Sequence, residues 1–226
     1  MARREDPSYI LWTSDWLLYP RRVEIYLREK KLPLNIGLVR VPISFDEQGK
    51  LCTPYGLPEV PGHVHTFPAL CVRTQTQEPD HFIYESTAII EYFEDVFPEP
   101  SMRGFTSEQR ARPRMEHGQL EGAAKWGEQR AHGLLSRIEE WAERWAGQDG
   151  SVNEAKWLAG TKEPTTADCM LLSTIGFMDY FYGVDLLTGH TMLLKWKALW
   201  EGRESAEVAS YPPSAMVEMA RKVSDV

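Results

Sequence analysis

Tyr9 to Thr13 is a short apolar run of strand length, and behind it Val23, Tyr26 and Leu27 recur at the i, i+3, i+4 spacing of a helix. Pro20 suits the first position of that helix, where its missing N–H is no loss. Arg28, Lys30 and Lys31 fall near its end, where cations suit the negative pole of the helix dipole. Asn35 to Val41, with Ile36 and Leu38 alternating against more variable partners, predicts a second strand, so the opening unit is strand, helix, strand. From Pro42 to His65 the chain carries Pro54, Gly56, Pro58, Pro61 and Gly62 with little periodicity, and the expectation there is mostly irregular structure. Ala69–Val72 and His81–Tyr84 predict a hairpin around the polar loop Arg73 to Asp80. A helix follows with Ala88, Ile89, Tyr92, Phe93 and Val96 on one face.

The pattern breaks at Phe97, Pro98, Glu99, Pro100 and Ser101, and beyond it the chain reads as helix, which puts a domain boundary near Pro100. Leu134, Leu135, Ile138, Trp141, Ala142 and Trp145 form an apolar stripe of core type. Gly160 to Pro164 resets the chain. Thr165 with Asp168 three residues on has the form of an acidic capping box ahead of the apolar run Cys169 to Ile175, a structural role for Asp168.

Composition narrows the class. With 226 residues and 42% hydrophobic content there is ample material for a core. No run approaches the roughly 18 apolar residues of a membrane span, and Met1 to Pro7 is charged rather than signal-like, so a cytoplasmic protein is expected. A net charge of -8 disfavours nucleic acid and anionic membrane as partners. Cys52, Cys71 and Cys169 are odd in number and scattered, which indicates neither a disulfide framework nor a dithiol centre. His63 and His65 lack a third ligand at metal spacing, so no metal is expected.

Two short segments carry the candidate chemistry. Phe67 and Pro68 lead into the buried-type run Ala69 to Val72, and a proline there is tolerated mainly at a strand start, an edge or a bulge. A cis Phe67–Pro68 bond would leave the N–H and C=O of Phe67 free to pair with an extended ligand as an added strand. Glu85 and Ser86 sit where a strand gives way to a helix. There the Ser86 hydroxyl and the first helical N–H groups suit a carboxylate, and Glu85 an ammonium. An extended peptide with an amino acid head fits both.

Ile10 to Leu32, Phe67 to Val72, Tyr84 to Pro98 and Trp157 to Phe177 together resemble a cytosolic glutathione transferase, most specifically in Glu85 to Tyr92 and next in Phe67 to Leu70. Leu158 to Gly160 with Thr165 to Cys169, and Trp196 to Ala206, are similar to the family's later segments. The resemblance implies an α/β thioredoxin-like, glutathione-binding domain over residues 1–99, and an all-α domain over 100–226 that forms the second-substrate pocket. It also implies glutathione as co-substrate or cofactor, held by Phe67, Pro68, Glu85, Ser86 and His65, a small hydrophobic electrophile as second substrate, and a homodimer.

The chain departs from the family at Leu17, which aligns where serine-type or cysteine-type members carry their catalytic side chain and which has no hydroxyl or thiol to offer. Ser14, Thr13 and Tyr19 are the substitute hydroxyls, with Ser14, at the end of the first strand, and Tyr19 as the catalytic candidates. An ordinary turn role for Ser14 and a packed ring for Tyr19 are the plain alternatives. Trp12, Trp16 and Leu17 are the candidate apolar wall for the second substrate, and a buried strand-to-helix corner explains them equally well. Three readings follow: a transferase acting on an electrophile by conjugation, or by glutathione-dependent isomerisation or ether cleavage; an isomerase or cyclase of a specialised metabolite without thiolate chemistry; and a non-catalytic binding protein on the same fold.

Overall fold

The computed structural model describes residues 8–33, 35–46, 48, 50–73, 80–103, 128–146 and 157–211. β1 (Tyr9–Thr13), α1 (Leu18–Lys30), β2 (Leu38–Pro42), β5 (Ala69–Val72), β6 (His81–Tyr84) and α2 (Ser86–Val96) form the first layer structure. Its sheet has the order β2-β1-β5-β6, with β1 parallel to β2 and antiparallel to β5. The crossover through α1 is what makes the first pair parallel. A separate two-stranded ladder joins β3 (Ser44–Phe45) to β4 (Leu51–Cys52).

Alternation along β1 divides the sheet's two faces. Leu11 and Leu70 join α1, α2 and the later helices in one core, and Tyr9 packs edge-on to Tyr92 and Phe93 beside it. Ile10, Trp12, Ala69 and Cys71 face the other way, into a smaller core closed by Val41, Ile43 and Val64. Both faces are thus covered, and the irregular segment between β4 and β5 supplies the second cover.

The later chain is helical: α3 (Glu128–Ala146), α4 (Thr166–Tyr182), α5 (Thr191–Ala198) and α6 (Glu204–Ala209). Leu135 and Ile138 of the expected stripe are buried; the side chains of Trp141 and Trp145 lie outside the described set. The capping box at α4 forms as expected. Asp168 is fully buried, with Oδ1 accepting from the Leu158 amide at 2.9 Å and the Trp196 indole at 2.7 Å, and Oδ2 accepting from the Thr165 amide at 2.7 Å.

Three expectations need correction. β2 begins at Leu38 rather than Asn35, because Ile36 turns back onto the Pro33 carbonyl and Gly37 takes φ 69°. Helix α1 begins at Leu18, with Pro20 third and still within the turn that needs no intrahelical N–H. On α2 the buried face holds Ile89, Ile90, Phe93 and Glu94, while Ala88 and Val96 of the expected face are exposed, because the helix packs through the neighbouring stripe. Lys30 falls in the last turn of α1 as expected. It is fully buried against Glu94 at 2.6 Å, since α1 packs against α2, α4 and α6.

Candidate functional site

The sheet register assembles the site. Trp12 pairs with Ala69, and Ala69 pairs with Tyr84. Continuing that register one residue sets Pro68 between the end of β1 and Glu85, so the loop before α1, the Phe67–Pro68 turn and the start of α2 meet at one edge.

Phe67–Pro68 is cis, and Pro68 is buried where β5 begins. Neither the N–H nor the C=O of Phe67 has a hydrogen-bond partner among the described residues, which leaves a short strand edge open. Glu85 is exposed and takes φ 71° and ψ 129°, a backbone conformation that costs a non-glycine residue about 1–3 kcal/mol. Its carbonyl accepts from the Ile89 amide at 3.0 Å, while its side chain does not cap the helix. The first-turn amides of Ser86, Thr87 and Ala88 are therefore open, and the positive pole of α2 faces outward. Ser86 is 2% exposed, and its hydroxyl makes no hydrogen bond among the described residues. The pair thus presents one carboxylate and one set of N–H and O–H donors side by side. His65 is exposed and near Phe67 in the chain, whereas His63 lies edge-on to Phe82 at 4.5 Å.

The loop before α1 is built differently from expectation. Ser14 is fully buried, and its hydroxyl accepts from the Trp16 amide at 3.4 Å, the geometry of a turn residue. Tyr19 is 38% exposed, with the Arg22 guanidinium 4.8 Å from its ring centroid. Leu17 is the N-cap of α1, half-buried and without a capping hydrogen bond. Trp12 and Trp16 do not form an open wall. Trp12 points to the far face of the sheet, donates to the Pro58 carbonyl at 3.3 Å and stacks on Phe82; Trp16 is buried against Phe45. A β1 residue at an even position faces away from the helices, and the segment covering that face encloses it.

Sequence reasoning passed over Arg21. It is 3% exposed, donates to the Asp15 carbonyl and, at 2.5 Å, to the Ser210 carbonyl, and lies 4.1 Å from the Tyr211 ring centroid. The signal was present: two adjacent arginines early in a helix whose first turn holds no acid run against the dipole preference. A cleft of about 900 Å³ lies elsewhere, between α4, α5 and α6, and reaches this loop only through Ser210 and Tyr211. Among the described residues no cluster of three or more His, Cys, Asp or Glu has metal-binding geometry, and no helix is long and apolar enough to cross a membrane.

A thioredoxin-like sheet followed by helices, with a cis-proline turn beside an open helix start, defines the glutathione transferase fold. Residues 18–96 match the family model for the glutathione S-transferase N-terminal domain, and the chain as described has the fold of the glutathione S-transferases. Among solved structures, a glutathione S-transferase from Methylobacillus flagellatus with glutathione bound is 16% identical, with a TM-score of 0.63 over 91% of this chain and 100% of that one. A glutathione S-transferase from Methylobacterium radiotolerans, in complex with glutathione sulfonate, is 18% identical, with a TM-score of 0.62 over 90% and 95%. A maleylacetoacetate isomerase from Anaeromyxobacter dehalogenans, with dicarboxyethyl glutathione bound, is 19% identical, with a TM-score of 0.57 over 92% and 94%. No curated protein matches the sequence.

Proposed function

We propose that this chain binds glutathione and uses its thiol on a small hydrophobic electrophile. The observation that carries the reading is the open N-terminus of α2. Glu85 projects a carboxylate from a strained backbone, and Ser86 with the first-turn amides offers donors beside it. That is a complementary socket for the ammonium and carboxylate of an amino acid head group. The free N–H and C=O of Phe67 then pair with the peptide backbone of the tripeptide, and exposed His65 stands toward the glycyl end. The thiol comes to the start of α1, where the N–H groups of Leu18 and Tyr19 have no partner among the described residues. The buried Ser14 hydroxyl shapes that loop through Trp16. On this reading, residues 1–99 hold glutathione and residues 100–226 bound the second substrate, with half-exposed Leu17 at the entrance.

Calorimetric titration with glutathione tests it. Saturable binding that weakens in Ser86→Ala is the expected result; a folded protein that takes up no heat with glutathione refutes it. Because a maleylacetoacetate isomerase shares the fold, a reaction in which the thiol adds to an activated double bond and leaves after rotation is the second reading. Recovery of unconsumed glutathione at full turnover distinguishes it from conjugation. The homodimer belongs to the same proposal, and sedimentation equilibrium tests it.

A further inference from the structure

The start of α1 carries no negative charge of its own, and Leu17, its N-cap, has no hydroxyl or thiol to offer. Its first turn has no acidic residue and no side-chain cap. Arg21 closes that turn, and a cation in this position opposes the positive pole of the helix. Burial pushes its guanidinium pKa down. Its two donor contacts go to neutral carbonyls, those of Asp15 and Ser210, and its Nε–H is buried with no acceptor among the described residues. The titratable groups facing it are Tyr211, Asp15 and Glu24. Asp15 is exposed and meets Arg21 through its backbone, while the Glu24 carboxylate is held by Arg40 at 3.1 Å. The Asp15 and Glu24 carboxylates act on the guanidinium without a hydrogen bond to it among the described residues, so its buried charge is paired only at a distance, a costly arrangement that an anion in contact would offset.

We propose that Arg21 is the counter-charge for the thiolate of bound glutathione, its guanidinium anchored on the Asp15 carbonyl in the very loop where the thiol docks. The inference rests on the glutathione reading above. It replaces a hydrogen-bonding hydroxyl by a fixed positive charge acting with the free amides of Leu18 and Tyr19, and the thiol proton leaves to solvent with no other bond changed. The carbonyl of Ser210 and the ring of Tyr211 hold the guanidinium from the opposite side, so the end of α6 becomes part of the thiol site.

The test titrates the ultraviolet absorbance of the bound thiolate against pH, with calorimetry at acid pH giving the tripeptide's affinity separately. The wild-type complex should ionise below the free thiol value of about 8.5. Arg21→Gln should raise the midpoint by about one unit, which is about tenfold less thiolate at neutral pH or about 1.4 kcal/mol. Arg21→Lys should keep most of the depression, and both variants should keep acid-pH affinity within about threefold. An Arg21→Gln complex that titrates like wild type overturns the proposal. Tyr19→Phe, at an exposed position that leaves the core alone, should keep a depressed midpoint; if this change alone restores the free value, the hydroxyl and not Arg21 is responsible. Binding by wild type with an unshifted thiol refutes the Arg21 role and leaves the docking reading standing. Failure to bind glutathione removes both.

Discussion

Lys30→Met is the perturbation with the largest consequence that the structure allows to be worked through. Lys30 and Glu94 are 0% and 1% exposed at their side chains, with Nζ 2.6 Å from Oε1. Glu94 also accepts from the Tyr26 hydroxyl at 2.8 Å and from the Met102 amide at 3.0 Å, and Lys30 donates to the Pro100 carbonyl at 2.7 Å. The network therefore ties α1 to α2 and to the chain that leaves α2. Burial and the neighbouring Glu94 carboxylate push the Tyr26 phenol far up, so it stays a donor throughout the accessible pH range. Removing the ammonium leaves a carboxylate in the core with two donors and no cation in contact, Arg103 acting on it only at longer range, a change that typically costs about 3–5 kcal/mol. Followed by the fluorescence of the chain's 8 tryptophans, urea unfolding should show the loss as a lower midpoint at unchanged slope. With a slope near 3 kcal/mol/M, the midpoint falls by about 1 M or more. The double variant Lys30→Met, Glu94→Leu removes both charges but orphans the Tyr26 hydroxyl and the Met102 amide at about 1–3 kcal/mol each, so it should lose less than the sum of the single changes. A loss below about 1 kcal/mol for Lys30→Met, the range of an exposed pair, would refute the reasoning.

Ser86→Ala should weaken glutathione binding by about 1–3 kcal/mol in calorimetry, with thermal stability little changed, because its hydroxyl has no hydrogen-bond partner to lose among the described residues. Gly176→Ala would place a Cβ 2.8 Å from the Ala209 backbone oxygen, so α4 and α6 must part. The expected cost is about 1–3 kcal/mol in urea unfolding. Among the cysteines, Cys71 and Cys169 are buried, and burial pushes the Cys71 thiol up to about 11 and that of Cys169 well above its ordinary value. A thiol reagent should therefore modify only half-buried Cys52 in the folded protein at neutral pH. Cys71 should stay protonated until strongly alkaline pH, and all 3 cysteines should react after denaturation.

The features legible in the sequence are those written in local pattern. β1, the β5–β6 hairpin, the span of α2 and the Thr165–Asp168 box appear within a residue or so of expectation, because each rests on a period or a spacing of a few residues, whereas the buried face of α2 is turned toward Ile90 and Glu94. β3 and β4 are two residues each and carry no period, so the stretch read as irregular conceals them. The burial of Trp12 and Trp16 depends on which segment covers the far face of the sheet, and Pro58 and Phe45 contact them from distant positions. Lys30 finds its partner 64 residues away, and Arg21 finds one 189 residues away. Nothing in the local pattern points to those partners, and the packing of α1 on several sides puts both cations in the interior. At the site, the donors and acceptors of Phe67, Glu85 and Ser86 were readable, and the strained backbone at Glu85 was not.

The contacts that gather at Asp168 also bear on the order in which the chain is expected to fold. Its carboxylate joins groups 10, 3 and 28 residues away, spans short enough to close with little loss of chain entropy. The pairing of Leu11 with Leu70, by contrast, must await the whole stretch between β1 and β5. The contacts around that carboxylate are therefore expected to form early, and the edge at which Phe67, Glu85 and the α1 loop meet only after the long-range sheet has closed. The edge proposed to hold glutathione should then be the last feature the chain acquires, and the first it gives up when the sheet loosens.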